Sequence, residues 1–177
     1  MRELGFLYGM KSDGHPLEVK HIFVSPGHDF RGRHGLGRED NGVVDCDEVE
    51  LVAGSGIVGD RYFNHKEDFK GQITFFEESI WLAVKEKFAL PELPASEFRR
   101  NVIVSGVDLN SLIGQQFAIG DLEFSGSEEA SPCYWMDEAC APGVEEFLRG
   151  RGGLRCRILG GGTLAKGTFD LRVLGAV

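Results

Sequence analysis

The 177-residue sequence lacks the long apolar run that a membrane-spanning helix needs. Such a helix takes about 18 or more consecutive apolar residues, and no stretch approaches that length. The N-terminal region also lacks the apolar centre of a secretory signal peptide. We therefore expect a cytoplasmic protein that does not act at a membrane.

Cysteines and basic residues are both scarce. The four cysteines, at positions 46, 133, 140 and 156, form no C-x-x-C pair, and a chain of this length needs no disulfide framework. Nineteen Lys and Arg against 28 Asp and Glu give a formal charge of −9, which disfavours general binding to nucleic acid. The five histidines match no zinc-binding spacing.

Glycine, in contrast, is abundant. Its 25 residues are about twice the usual share of ~7% and predict many tight turns between short strands. Only residues 77–89 and 142–149 predict helices, whereas a doubly wound α/β fold needs helices between most strands. We predict a mainly β (α+β) fold, a closed or nearly closed barrel, in one domain spanning 1–177 with its core at about 17–174. The predicted strands cover 17–25, 43–47, 49–53, 72–76, 101–104, 116–119, 122–125, 154–159 and 168–174.

One motif matches the dinucleotide-binding pattern G-x-G-x-x-G. It is Gly54-Ser-Gly56-Ile-Val-Gly59, and it follows a predicted strand. The motif binds a pyrophosphate only when a helix begins directly after it. Residues 60–68 have no apolar stripe at helical spacing, so we expect a turn. That turn either only connects two strands or also presents Asp60 and Arg61 to a site.

Cys133 is the first candidate for chemistry. It lies in Ser131-Pro132-Cys133, where the proline stiffens the approach to the thiol, and it stands shortly before a predicted helix. A functional thiolate serves as a nucleophile or as a ligand for a soft metal. A buried structural cysteine is an equally good interpretation of the local sequence. Cys140 is interpreted as a resolving cysteine or as a merely buried one. Cys46 and Cys156 are interpreted as core residues.

Two groups of arginines suggest an anion pocket. Arg99 and Arg100 with Asn101 stand at the start of a predicted strand, where they either hold a phosphate or carboxylate or are simply solvated. Arg155 and Arg157 are two residues apart and so share one face of a strand. Residues 26–42 contain five glycines and several basic residues. We expect them to form a mobile flap that orders only when a ligand binds.

Taken in order, these pieces resemble the MOSC domain, named after the C-terminal domain of molybdenum cofactor sulfurase. The resemblance rests on Gly56-Ile-Val-Gly59-Asp60-Arg61, on Arg100-Asn101, on Gly120-Asp121, on Pro132-Cys133 and on the closing segment from Arg151 to Gly161 with Gly167. It covers roughly residues 17–174 and points to a small stand-alone protein of the bacterial type.

The resemblance implies a barrel-like fold and a role in binding molybdenum cofactor or in carrying sulfur. It places the catalytic and metal-ligating cysteine of the family on Cys133, and the residues that hold the pterin and its phosphate on Arg100 and Asn101. We add Arg157, Arg61 and Asp60 as candidate cofactor-binding residues. Pyridoxal phosphate is a common term for the family, but no lysine here is marked out for a Schiff base, so we do not expect it to bind.

Two functions therefore stay open. The first is a molybdenum-dependent oxidoreductase or sulfur carrier that uses Cys133, with reduction of N-hydroxylated compounds by an external electron donor as the reaction. The second is a non-enzymatic module that delivers cofactor or sulfur to a partner protein. In both, the arginines favour the thiolate of Cys133, which we expect to be the most reactive of the four cysteines.

Overall fold

The computed structural model describes residues 14–30 and 37–177. Within these residues the chain forms eleven strands, three short α-helices and two 3-10 turns, at Ala95–Phe98 and Leu109–Leu112. The strands are β1 (His15–Val24), β2 (Val44–Asp45), β3 (Glu48–Val52), β4 (Gly56–Ile57), β5 (Ile73–Glu77), β6 (Val102–Ser105), β7 (Gln115–Ile119), β8 (Leu122–Glu129), β9 (Leu154–Gly160), β10 (Gly162–Ala165) and β11 (Gly167–Ala176). The helices are α1 (Glu78–Lys87), α2 (Trp135–Ala139) and α3 (Val144–Leu148).

Seven strands close into a barrel. Their order is β1-β11-β7-β8-β9-β5-β6, and β6 pairs with β1 to complete the ring. Every pairing in the ring is antiparallel except that of β5 with β6. The prediction of a mainly β barrel with few helices is confirmed, while the one-domain interpretation stays a prediction.

The barrel interior is filled by apolar side chains from alternate strand positions. In β9, Leu154, Cys156 and Ile158 are buried while Arg155 and Arg157 are partly exposed, as the alternation predicts. Three phenylalanine rings, from β5, β7 and β8, pack edge to face or stacked at the centre, with centroids 5.4 to 6.3 Å apart.

A second apolar cluster lies between the barrel and the helices. α1 confirms the helix predicted over residues 77–89, and its apolar face lies in this cluster: Val84 is fully buried, and Ile80, Trp81 and Phe88 pack against the same cluster. Met136 of α2 joins it, so α2 is anchored beside the barrel. α2 is absent from the sequence prediction because five residues are too few to show a periodicity.

The glycine motif at residues 54–59 connects two strands. It contains the turn between β3 and β4, and both strands belong to a three-stranded sheet completed by β10. Turns, not a helix, follow Gly59, as expected. β10 is absent from the strands predicted from the sequence. In the residues that the structure describes, no helix has the length and apolar character to cross a membrane.

Candidate functional site

The candidate site is a cavity of about 210 Å³ beside β5 of the barrel. It lies where β6 and β9 begin and β8 finishes, since Phe75 of β5 pairs with Val102 on one side and with Leu154 on the other, and Leu154 also pairs with Glu129. Among the described residues its lining comprises His28, Asp29, Phe30, Arg61, Tyr62, Phe69, Gly71, Thr74, Arg99, Arg100, Ala130, Ser131, Cys133, Trp135, Met136 and Arg155. The structure thus brings Cys133 together with four arginines.

Cys133 lies on the connection between β8 and α2. Its thiol is free and partly exposed, and its carbonyl accepts a hydrogen bond from the Met136 amide at 2.9 Å. That bond forms the turn that leads into α2, and α2 is held by the second apolar cluster. The packing of the helix therefore fixes the position of the cysteine at the cavity.

Arg100 is the central cation of the site. Its guanidinium donates to the carbonyls of Gly152 at 2.8 Å, Phe98 at 3.1 Å and Ala130 at 2.7 Å. Burial lowers the pKa of Arg100 to about 10, the charge of Arg155 adds to this effect, and a thiolate at Cys133 counters it. Within the described residues no carboxylate forms an ion pair with Arg100, so its charge is balanced only by carbonyl dipoles.

Three further arginines surround the cavity. Arg99 pairs with Asp29 at 3.0 Å, and burial together with the charge of Arg61 lowers the pKa of Arg99. Arg61 lies 3.5 Å from Asp60 and donates to the Arg99 carbonyl at 3.4 Å. Arg155 is more exposed and pairs with a glutamate of β8 at 3.3 Å. Among the residues that the structure describes, carboxylates pair with three of the four arginines, so the charge of Arg100 is the one left to attract an anion into the cavity, in a chain of net charge −9.

Asp60 and Asn101 lie behind the cavity wall. The buried Asp60 carboxylate accepts bonds from the Ser25 and Tyr62 amides, both at 3.2 Å. The amide group of Asn101 bonds Thr74, Asp60 and the Phe23 carbonyl, which uses its full hydrogen-bonding capacity. The two residues orient the loops that carry Arg61 and Arg100. Their direct contact with a ligand stays a prediction.

Arg157 points away from the cavity lining. It forms a two-pronged ion pair with Asp68, with distances of 2.7 and 3.1 Å, and also donates to the Asp68 carbonyl. Its neighbour in the pattern, Arg155, is the one that lines the cavity. Sequence alternation places both on one face but does not show which of them reaches the site.

The aromatic part of the lining has no counterpart in the sequence analysis. Tyr62 and Phe69 stack with centroids 5.3 Å apart, and Phe30 packs on Trp135 at 4.1 Å. Both pairs line the cavity. The one available signal was the position of Tyr62 and Trp135 directly beside the resemblance motifs. Flat apolar faces next to cations suit a ligand that combines a ring with an anionic group.

The described ends of the 26–42 segment contact each other and the rest of the chain. Asp29 is buried and accepts a hydrogen bond from the Asn41 amide at 3.0 Å, which ties the two ends together. The ion pair of Asp29 with Arg99 and that of Arg38 with Glu97 attach the ends to the rest of the chain. For these ends the expectation of a flap that orders only on ligand binding stays a prediction. Residues 31–36, which include the basic side chains at 31, 33 and 34, lie outside the described residues.

The other cysteines differ from Cys133 in their surroundings. Cys156 is fully buried in the barrel, and burial raises its pKa well above the ordinary value. Burial also raises the pKa of Cys140, to about 12. Cys46 packs partly against the barrel core, and burial followed by the charge of Asp45 raises its pKa. The core prediction for Cys156 is confirmed, and that for Cys46 holds in part.

Comparisons with known proteins agree with the fold. The YuaD protein from Bacillus subtilis has a similar structure, with a TM-score of 0.72, 17% identity and coverage of 92% of this chain and 98% of that one. YiiM from Escherichia coli matches with a TM-score of 0.61 and 17% identity, over 89% of this chain and 70% of that one. No curated protein matches the sequence. The family model for the MOSC domain matches residues 61–168, more than half of the sequence, so the chain belongs to the MOSC domain family, which is associated with molybdenum cofactor binding.

Proposed function

We propose that the cavity beside Cys133 binds molybdenum cofactor or carries activated sulfur on that cysteine. The observation that carries the proposal is the juxtaposition of a partly exposed thiol with Arg100, whose charge lacks a carboxylate partner in the described residues. An anion in the cavity lowers the electrostatic cost of keeping this guanidinium out of water. A cysteine ligates a metal or attacks sulfur in its thiolate form, and Cys133 lines the same cavity as this charge.

The chemical types of the side chains that line the cavity suit such a cofactor. A thiolate is a soft ligand that suits molybdenum, guanidinium groups suit a phosphate, and the aromatic side chains suit a flat ring. The volume of about 210 Å³ is below the ~300–1,000 Å³ usual for sites that enclose a whole ligand. We therefore assign one end of the cofactor to the cavity, with the remainder at its mouth.

In the enzymatic form of the proposal the bound group supplies two-electron redox chemistry, and the substrate is an N-hydroxylated compound. Two electrons and two protons convert the N–OH group to N–H and release water, with an external electron-donor protein as the reductant. The chain itself contributes binding: Cys133 holds the metal end and Arg100 with Arg61 holds the anionic end. Asp60 and Asn101 fix the loops that carry the two arginines.

The alternative is a non-enzymatic module that passes cofactor or sulfur to a partner protein. The thiol of Cys133 is partly exposed, and such a thiol serves transfer as well as catalysis. The two forms differ in how long the ligand stays bound. Both operate in a reducing compartment, where the four free thiols persist, and we place the protein in the cytoplasm.

The decisive experiment combines metal analysis with native mass spectrometry of freshly purified protein. Stoichiometric molybdenum, or an added mass of one sulfur atom on the Cys133 peptide, supports the proposal. Cys133→Ser should lose either signal and keep the folding stability, because the change is nearly isosteric. Cys46→Ser is the matched control, since Cys46 is also a free, partly exposed thiol. Equal loading of both variants refutes the role of Cys133.

A second measurement separates the two forms. Gel filtration in buffer without ligand leaves a resident cofactor bound but strips a cargo that is meant for transfer. Retained molybdenum together with reduction of a hydroxylamine by a chemical electron donor supports the enzyme. Loss of molybdenum or sulfur to an added acceptor thiol supports the delivery module.

A further inference from the structure

One wall of the cavity comes from a segment with no regular secondary structure. Residues 62–71 run between β4 and β5, and Tyr62, Phe69 and Gly71 of this segment line the cavity. The rings of Tyr62, His65 and Phe69 contact one another, with centroid distances of 4.7 to 5.4 Å. We call these three side chains the aromatic wall. Its shape depends on whatever holds the segment in place.

The segment is attached to the barrel through Asp68. Arg157 of β9 grips both carboxylate oxygens of Asp68, at 2.7 and 3.1 Å, and its carbonyl oxygen at 3.3 Å. Asp68 has a φ of 51°, a left-handed conformation that aspartate tolerates better than most residues. Ser127 of β8 lies 3.3 Å from the same guanidinium. Arg157 therefore ties the residue directly before Phe69 to two strands of the barrel.

We propose that the Asp68–Arg157 pair is a positioning device that holds the aromatic wall in the conformation that binds the flat ring of the ligand. Arg157 acts through Asp68 and makes no contact with the ligand. The arginines of the cavity bind the anionic group instead. The proposal rests on the proposed function to this extent: the ligand must carry both a ring and an anion.

The exposure of the pair limits the size of the effect. The side chain of Asp68 is 78% exposed and that of Arg157 24%. Pairs of this kind change an equilibrium by about a factor of five at most, and two-pronged geometry places this pair near the upper end. Loss of the tether should therefore loosen the wall and leave the global fold unchanged.

The first test needs no ligand. Hydroxyl-radical footprinting reads the solvent exposure of Tyr62 and Phe69 in wild type, in Asp68→Asn and in Glu67→Gln. The control removes the same charge from the neighbouring residue. Asp68→Asn should raise the labelling of both rings roughly two- to fivefold, and Glu67→Gln should not. Unchanged labelling in Asp68→Asn overturns the tether.

The second test compares two probes. Pterin-6-carboxylate combines a flat ring with an anion, and inorganic phosphate offers the anion alone. Asp68→Asn and Arg157→Gln should each lower the affinity for pterin-6-carboxylate roughly two- to fivefold and leave the affinity for phosphate unchanged. The double variant should be no weaker than either single one, because the two residues act as one pair. An equal loss of affinity for both probes overturns the selective role of the aromatic wall.

The two failures remain distinguishable. If neither probe binds the wild type, the anion-plus-ring ligand is wrong and the proposed function fails together with the assigned role of the wall. The footprinting result then still decides whether the tether itself exists. If both probes bind and only Arg100→Gln weakens them, the proposed function survives and the positioning inference is refuted.

Discussion

The most direct test of the candidate site is the relative reactivity of the cysteines in the native protein. A short pulse of iodoacetamide at pH 8 alkylates thiolates in proportion to their population and access. Cys133 faces an open cavity, whereas burial raises the pKa values of Cys46 and Cys156, and that of Cys140 to about 12. We expect Cys133 to react first.

The difference can be worked out for Cys140. At pH 8 a thiol with a pKa near 12 is ionised in about one molecule in 10,000, whereas a thiol with the reference value of ~8.5 is ionised in about one in four. The more basic thiolate is the better nucleophile, with a Brønsted slope of ~0.4–0.5. Each Cys140 thiolate therefore reacts about 25 to 55 times faster than a thiolate of reference pKa, which offsets part of the difference in population. A thiol of reference pKa is thus labelled roughly 40- to 100-fold faster than Cys140, and we expect Cys133 to exceed Cys140 by at least about tenfold.

Peptide mapping by mass spectrometry after the pulse gives the four rates. The control is the same pulse in guanidinium chloride, where the rates of all four cysteines should agree within about a factor of three because burial is lost. Arg100→Gln should slow the labelling of Cys133 and leave Cys46 unaffected, since it removes a charge only at the cavity. If Cys133 is the slowest of the four in the native protein, the functional-thiol interpretation is refuted.

Three further predictions concern stability. Burial raises the pKa of Asp29, but hydrogen bonds from Asn41 and the charge of Arg99 outweigh it and lower the pKa overall. The ionised Asp29 carboxylate therefore stabilises the folded state fully above about pH 4. This stabilisation disappears as the pH falls through the lower folded-state pKa. Urea unfolding should show Asp29→Asn about 3 kcal/mol less stable than wild type at pH 6, with the gap narrowing in acid; a gap that does not change with pH would contradict this. Phe124→Ala should cost about 3–5 kcal/mol by thermal unfolding, because the ring fills the barrel centre, and a cost below 1 kcal/mol would refute that packing. Gly153→Ala should lower the melting temperature by several degrees, since φ is 106° there and a Cβ meets a backbone carbonyl; an unchanged melting temperature would contradict the geometry.

Much of the barrel follows from short-range patterns in the sequence. The alternation in β9 predicts correctly that Cys156 faces the interior and Arg155 does not. The apolar stripe of α1 is equally readable, because ten residues span nearly three turns. In β11 the alternation holds less well, because Leu171 is buried but Val173, two residues further on, is 40% exposed.

The site is less readable because its parts meet only through the tertiary fold. Pro132-Cys133 and Arg100 carry local signals and line one cavity. Tyr62 and Phe69 lie in a segment with no periodicity, so nothing in their neighbourhood predicts that they become a wall. Arg157 was chosen over Arg155 on a pattern that treats both alike, and the structure distinguishes them because Arg155 lines the cavity and Arg157 does not.

The closure of the ring also determines when the protein can fold during synthesis. β1 and β11 pair in a register that joins His15 to Leu171, so the ring includes contacts between residues almost a whole chain apart. Until the last strand has left the ribosome, the edges of β1 and β7 that β11 will cover have no partner from it. Contacts of such long sequence separation make folding slow, and unpaired strand edges are prone to aggregate during that interval. Shortening β11 should therefore reduce the soluble yield more than its small share of the buried core suggests.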